Sequence, residues 1–304
     1  VSDGEDPGTA STLPFSVTVP GYRLRREAGS DAVGLWFDAE QMSLGRKVTI
    51  KVLKPQYEAH EAARREFLAE MDRLLPLHHP NLPHVLDTVR EGTLVLVVER
   101  IGARSAADVV QAGKPAGEGA SLRIVRGVAR ALAHLVEHGL GHRNVTPRLV
   151  ALREGGEPRL TTFRNVVTLE EWGGLRGRIS QDPLYVAPEQ LAGFDPIGAA
   201  AHSYHLAALL YHLLAGRPPH EGDPQEVARA HYKEPFPSLK RIQPFLAAGI
   251  YDLIAACAAR SPADRPPLPR VVEALEALLE KKDPGLSKPE TKGEAPRARR
   301  RRRR

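Results

Sequence analysis

Gly141-His142-Arg143-Asn144-Val145-Thr146-Pro147-Arg148-Leu149-Val150, followed by Leu160-Thr161-Thr162-Phe163-Arg164, is the sequence whose reading decides the fold. Its polar groups are mismatched to any reaction that needs negative charge. Asn144 can hydrogen-bond a hydroxyl, but at neutral pH it neither takes a proton nor carries charge. Leu149 offers no oxygen to a hard cation such as Mg²⁺, and Thr162 offers only a neutral hydroxyl. Upstream, Arg46-Lys47-Val48-Thr49-Ile50-Lys51-Val52-Leu53 alternates polar and apolar like a half-buried strand. Residues 64–75 place Phe67, Leu68, Met71, Leu74 and Leu75 at helical spacing, and Leu94-Val95-Leu96-Val97-Val98 reads as a buried strand. Downstream come Pro183-Leu184-Tyr185-Val186-Ala187-Pro188-Glu189, a long apolar segment from Tyr204 to Pro219, and Ser261-Pro262-Ala263-Asp264-Arg265-Pro266.

In order and spacing these segments resemble the landmarks of the protein kinase family, from about Tyr22 to Leu279. The loop at 141–149 resembles H-R-D-L-K-P-x-N, residues 162–164 stand where D-F-G belongs, and Val48-Thr49-Ile50-Lys51 resembles V-A-I-K. Pro183 to Glu189 resembles P-x-Y-x-A-P-E. The resemblance implies an α+β, bilobal protein-kinase-like fold: a small antiparallel β-sheet N-lobe with one helix, and a mainly α-helical C-lobe. It implies a leader over 1–20, a kinase-like domain over 21–280 (N-lobe about 21–99, C-lobe about 102–280) and a basic tail over 281–304.

It also implies roles. Gly29 and Gly34 are the surviving first and third glycines of a phosphate-covering loop, Lys51 and Glu70 form the ion pair that orients phosphates, Val98 is the gatekeeper, and Glu99 opens the hinge. Phe163, Glu189 and Arg265 are structural, with Arg265 pairing with Glu189. The departures fall on the chemistry. Asn144 replaces the catalytic Asp, Thr146 the loop Lys, Leu149 and Thr162 the Mg²⁺ ligands, and His202 the Asp of the central helix. Asp31 replaces the second loop glycine, where its charge would repel a triphosphate. Trp36 replaces a small Val, where its indole either fills the adenine site or packs on the loop. Arg143 is retained, and Ser180, if phosphorylated, or Asp182 would supply its negative partner.

Composition sets the frame. The 304 residues, 42% hydrophobic and 26% charged, suffice for a large core. The single cysteine, Cys257, excludes an internal disulfide framework and reads as helix packing in a reducing compartment. His134, His138 and His142 recur every four residues, but without a Cys or acid to complete a tetrahedral set they do not read as a zinc site. The net charge of +6 belongs to the tail: residues 281–304 hold eleven Lys or Arg against three acids, which leaves the rest of the chain at −2. The run Arg297–Arg304 would contact a polyanion, and no aromatic residues interleave it for base stacking. No apolar run is long enough to span a membrane, and the start at Val1 rather than Met leaves room for further chain before it.

The expectation is a pseudokinase: a regulatory or scaffolding domain, cytoplasmic, engaging protein partners through its C-lobe and activation-segment surface. No cofactor is expected; ATP, if bound, is bound weakly and without Mg²⁺. The alternatives are a serine/threonine protein kinase or unconventional nucleotide transferase, and an adaptor tethered by its arginine tail.

Overall fold

The computed structural model describes residues 17–102, 104–110, 114–161, 165–174, 182–192 and 197–282. Strands β1 (Tyr22–Ser30), β2 (Gly34–Gln41) and β3 (Arg46–Leu53) are followed by helix α1 (Glu61–Leu74), then β4 (Val85–Val89) and β5 (Val95–Glu99). They form one antiparallel sheet in the order β1-β2-β3-β5-β4. Strand alternation gives the sheet two different faces. Leu35, Phe37, Ala39, Val48, Ile50, Val52, Val95 and Val97 form the core of one. The register sets Trp36 opposite Lys51 and Thr49 opposite Val98, so the opposite face carries the residues of chemical interest. Val19, within the stretch read from the sequence as a leader, is buried in the first of these cores, where an apolar side chain just upstream of β1 covers the sheet.

Helix α1 buries Ala63, Phe67, Glu70, Met71 and Leu74, a stripe of 3.6-residue period against the second face. His60 caps it, its Nδ1 accepting from Ala63 N at 3.2 Å.

Beyond the sheet the chain runs β6 (Arg104–Ser105), α2 (Glu118–Glu137), β7 (Leu140–His142), β8 (Val150–Leu152), β9 (Pro158–Leu160), β10 (Val166–Thr168), α3 (Leu169–Gly174), α4 (Pro188–Ala192), α5 (Ala200–Ala215), α6 (Pro224–Lys233), α7 (Leu239–Ile242), α8 (Ala248–Cys257) and α9 (Leu268–Lys282). The segment from Ser105 is an edge strand and a single 3-10 turn at Ala106–Asp108, entered through a capping box in which the Asp108 carboxylate accepts from Ser105 N. Helix α2 starts at Glu118.

Helix α5 is the post of the lower lobe. It is apolar around nearly its whole circumference, and Leu206, Leu209, Leu210 and Leu213 join Leu122, Val125, Leu132 and Leu135 of α2 and Val271, Leu275 and Leu279 of α9 in one core. A helix buried on all sides must sit in the middle. Cys257 is buried in α8, where burial pushes its thiol up to about 12, consistent with packing and not nucleophilic use. Helix α6 is entered through a capping box: Asp223 accepts from Gln225 N and Glu226 N at 2.8 and 3.0 Å, while Glu226 accepts from Asp223 N. Asp223→Ala is expected to lower stability by roughly 1 kcal/mol in urea melts. Among the described residues no helix is long and apolar enough to cross a membrane.

Candidate functional site

The cleft beneath the sheet is organised by Lys51, whose side chain is wholly buried. Its Nζ lies 2.5 Å from Glu70 Oε2 on α1, so strand β3 and the helix meet at the pair named from the sequence. The ammonium also lies 5.2 Å from the Phe67 ring and 5.5 Å from the Trp36 ring, where aromatic faces stabilise a cation. Gly34 makes this passage possible: a Cβ there would stand 2.4 Å from Lys51 Cε.

Asp31, read from the sequence as a charge that would repel a triphosphate, is engaged within the chain: its Oδ2 sits 2.9 Å from Lys51 Nζ. The turn between β1 and β2 aims it there. Asp31 Oδ1 accepts from Val33 N and Gly34 N at 3.0 and 2.8 Å, Asp31 N donates to Gly34 O at 2.9 Å, and Lys54 Nζ donates to Asp31 O at 2.6 Å. Burial acts to raise the Asp31 pKa, but the Lys51 charge and these hydrogen bonds outweigh it and hold the carboxyl below the usual range.

At the other end of the cleft, Val98 is buried in β5, and Thr49 Oγ1 accepts from Ile101 N at 3.1 Å. Glu99 N donates to His84 O, and its carboxylate pairs with the buried Arg159 of β9. The Glu99 side chain thus straps the two lobes together. A second strap joins Arg73 of α1 to Glu171 of α3 at 3.1 Å.

The loop 142–149 is held by backbone and imidazole. Strand β7 pairs with β10, and Arg143 N donates to Asn165 O at 2.8 Å. His142 Nε2 donates to Thr161 O at 2.8 Å, and His142 N donates to His202 Nε2 at 3.0 Å. His202 therefore anchors this loop from α5 as a neutral acceptor. Burial drives it down to about 3 and His142 down to about 4. His205, also depressed by burial, donates from Nε2 to Gln190 Oε1 at 2.6 Å; Gln190 in turn receives Ala187 N and donates to Arg143 O. Trp172 closes the cluster, 4.9 Å from the His202 ring and so near Gly141 that a Cβ there would meet the indole at 2.4 Å.

Asn144 is half-buried, and its Oδ1 is buried without a hydrogen-bond partner. Leu149 is half-buried, with its backbone O receiving Thr161 N and Oγ1. Thr162 and Phe163 lie outside the described residues, as do Arg164, Ser180, residues 283–304 of the basic tail and residues 1–16, whereas Lys281 and Lys282 end α9. Asp182 caps its own turn by accepting from Leu184 N. The described side chains of this loop fit Mg²⁺ poorly: Leu149 offers no oxygen and Asn144 a single neutral amide oxygen, with no carboxylate beside it to balance a dication. Among the described residues no group of three His, Cys, Asp or Glu could hold a metal ion.

Glu189 and Arg265 form a bidentate pair at 2.6 and 2.8 Å, both buried. Sequence reading passed over His205, Gln190 and Arg159. Gln190 carried one signal, its place directly after Ala187-Pro188-Glu189.

A family model described as "Protein kinase domain" matches residues 22–275. Similar curated proteins include the serine/threonine-protein kinase PkaA of Streptomyces coelicolor, 32% identical over 86% of this chain and 48% of that protein. The serine/threonine-protein kinase PknA of Mycobacterium tuberculosis is 30% identical over 82% of this chain and 59% of its own length. For the serine/threonine-protein kinase pkn2 of Myxococcus xanthus the figures are 28%, 91% and 35%. The chain thus spans about a third to three fifths of the length of these relatives.

Proposed function

We propose that this chain, which belongs to the protein kinase family, is a member without phosphotransfer, acting in regulation or scaffolding. The observation that carries the reading is the loop 142–149, whose hydrogen-bonded frame is intact while Asn144 and Leu149 supply no carboxylate. Phosphoryl transfer depends on positioning, on neutralisation of charge by Mg²⁺, and on a group that receives or orients the substrate hydroxyl. Asn144 can orient a hydroxyl and cannot take its proton. ATP is bound weakly and without Mg²⁺, or not at all. The domain acts in the cytoplasm, binding protein partners through its C-lobe and the surface around residues 165–192, and the Arg297–Arg304 run adds contact with polyanions.

A second reading, a serine/threonine kinase or an unconventional nucleotide transferase, is favoured by the Lys51–Glu70 pair at 2.5 Å and by relatives named as serine/threonine kinases. Thermal melting with millimolar ATP, with and without Mg²⁺, paired with a radiolabelled phosphate-transfer assay, separates the two, since a ligand of the folded state raises Tm by mass action. The expected result is no Mg²⁺-dependent shift and no labelled product. Transfer of label, together with a Mg²⁺-dependent shift that Lys51→Ala removes, would establish the second reading instead.

A further inference from the structure

The geometry points to Asp31 and Thr49 as the cleft's own ligands: they occupy, from within the chain, the polar groups that a nucleotide's phosphates and base would use. This deepens the reading above and rests on it.

A nucleotide entering between the lobes needs two kinds of partner. Its phosphates need a cation and backbone N–H donors, and its base needs a backbone amide edge. Lys51 is the buried cation, and the N–H groups of Val33 and Gly34 are the donors at the turn above it. One carboxylate engages all three. Asp31 Oδ1 takes both N–H groups, and Oδ2 stands 2.9 Å from the ammonium. That is the arrangement a phosphate would adopt, one oxygen in a backbone nest and another on a lysine.

With Glu70 already at 2.5 Å, the second carboxylate takes the Lys51–Glu70 pair from neutral to −1, and Lys54 at the Asp31 carbonyl brings the cluster only back to neutral, so a polyanion meets no net positive charge. The base end is closed in the same manner. Ile101, at the connection between the lobes, has its N–H taken by the Thr49 hydroxyl, and Thr49 is buried. Both residues stand where the sequence departs from the patterns it otherwise follows: Asp31 in the glycine loop and Thr49 in Val48-Thr49-Ile50-Lys51. Two substitutions at opposite ends of one cleft thus give the same outcome, an internal partner in place of an external one.

The test uses the full chain in EDTA, with ATP and adenosine as separate probes followed by calorimetric titration. Asp31→Asn keeps the Oδ1 acceptor for the turn and removes the charge; Thr49→Val keeps the shape and removes the acceptor. Asp31→Asn is expected to bind ATP at least tenfold more tightly than wild type with little change for adenosine. Thr49→Val is expected to tighten both probes, and the double variant to bind ATP most tightly. Equal ATP affinity in wild type and Asp31→Asn overturns the inference, as does an Asp31→Asn gain that is the same for adenosine. If Asp31→Asn does not melt cooperatively, Asp31→Gly gives the same readout without a side chain. Phosphate transfer is measured separately on the double variant. Tight binding without transfer supports both readings; tight binding with transfer overturns the absence of phosphotransfer alone; and wild-type ATP binding as tight as the variants' overturns this inference alone.

Discussion

Arg265→Met is expected to lower unfolding free energy by about 3–5 kcal/mol, the range for removing one partner of a buried ion pair. All five donors of this guanidinium are used. Nε donates to Ala259 O at 2.7 Å, Nη1 to Glu189 Oε1 and Ala200 O at 2.6 and 3.2 Å, and Nη2 to Glu189 Oε2 and Arg260 O at 2.8 and 3.1 Å. The group also lies 5.0 Å from the Tyr204 ring of α5. Met fills comparable space but strands the Glu189 charge, 2% exposed at its side chain, and takes a donor away from three backbone carbonyls. At about 2–4 °C per kcal/mol for a domain of this size, Tm should fall by roughly 10 °C. Glu189→Gln, which keeps an acceptor without the charge, should cost less. The double variant should cost less than the sum of the two single changes, because the pair stands or falls together. Additive losses would show that the two side chains act independently. Lys at 265 would not rescue, since an ammonium with three donors cannot meet the five carbonyl and carboxylate oxygens that the planar guanidinium reaches.

Acid should unfold this domain well before its carboxylates titrate in bulk. His142 and His202 are held down to about 4 and about 3 in the folded chain, against an ordinary value of 6.5. In the unfolded chain they protonate near 6.5, so below that pH the unfolded state binds more protons and gains stability. The stability they contribute is therefore complete above pH 6.5, is lost as pH falls from 6.5 toward 4, and stops falling below the folded values. Over pH 6.5 to 5 the loss is roughly 2 kcal/mol for each histidine. Neighbouring cationic and imidazole groups add to the effect of burial, Arg143 beside His142, and His202, His142, Arg265 and His231 around His205; the backbone hydrogen bonds at Thr161 and Asn144 only partly offset it for His142. Against a total stability on the order of 5–15 kcal/mol, the chain is expected to be unfolded before pH 4. Urea melts at pH 7.5, 6.5, 5.5 and 5 measure this directly. His202→Gln retains an acceptor for His142 N and removes one titration, so its stability should fall about 2 kcal/mol less over the same interval. A slope equal to wild type would show that His202 does not titrate on unfolding.

The strands and helices of the frame were legible from their periodicity, but the two ion pairs were legible through the resemblance to the protein kinase family: Lys51 in Val48-Thr49-Ile50-Lys51 and Glu70 in the following helix, which lie 2.5 Å apart. Arg265 and Glu189 were legible in the same way, each within a proline-containing motif that resembles the family's. Direction was not legible. Asp31 was visible as a charge in a loop, but whether it met anion or cation depended on a turn whose hydrogen bonds aim the carboxylate inward. Thr49 was visible as a change from alanine, while its partner, Ile101, lies far along the chain and becomes adjacent only when β5 pairs with β3. His202 was visible as a lost carboxylate; that its imidazole nitrogen receives the His142 N–H follows from its neutral, buried state, which composition does not disclose. Val19 was missed because the Ser-, Thr-, Gly- and Pro-rich residues before it mask a single apolar side chain that covers the sheet.

The chain has two tryptophans, and the fold puts one in each lobe. Trp36 borders the Lys51 ammonium beneath the sheet, while Trp172 is enclosed beside His202 and His205. Their fluorescence consequently reports two different places: one indole senses the electric field at the cleft, and the other senses solvent entry and imidazole charge at the base of the loop. With Trp36→Phe or Trp172→Phe as the silent partner, each lobe acquires its own intrinsic optical signal, with no added dye.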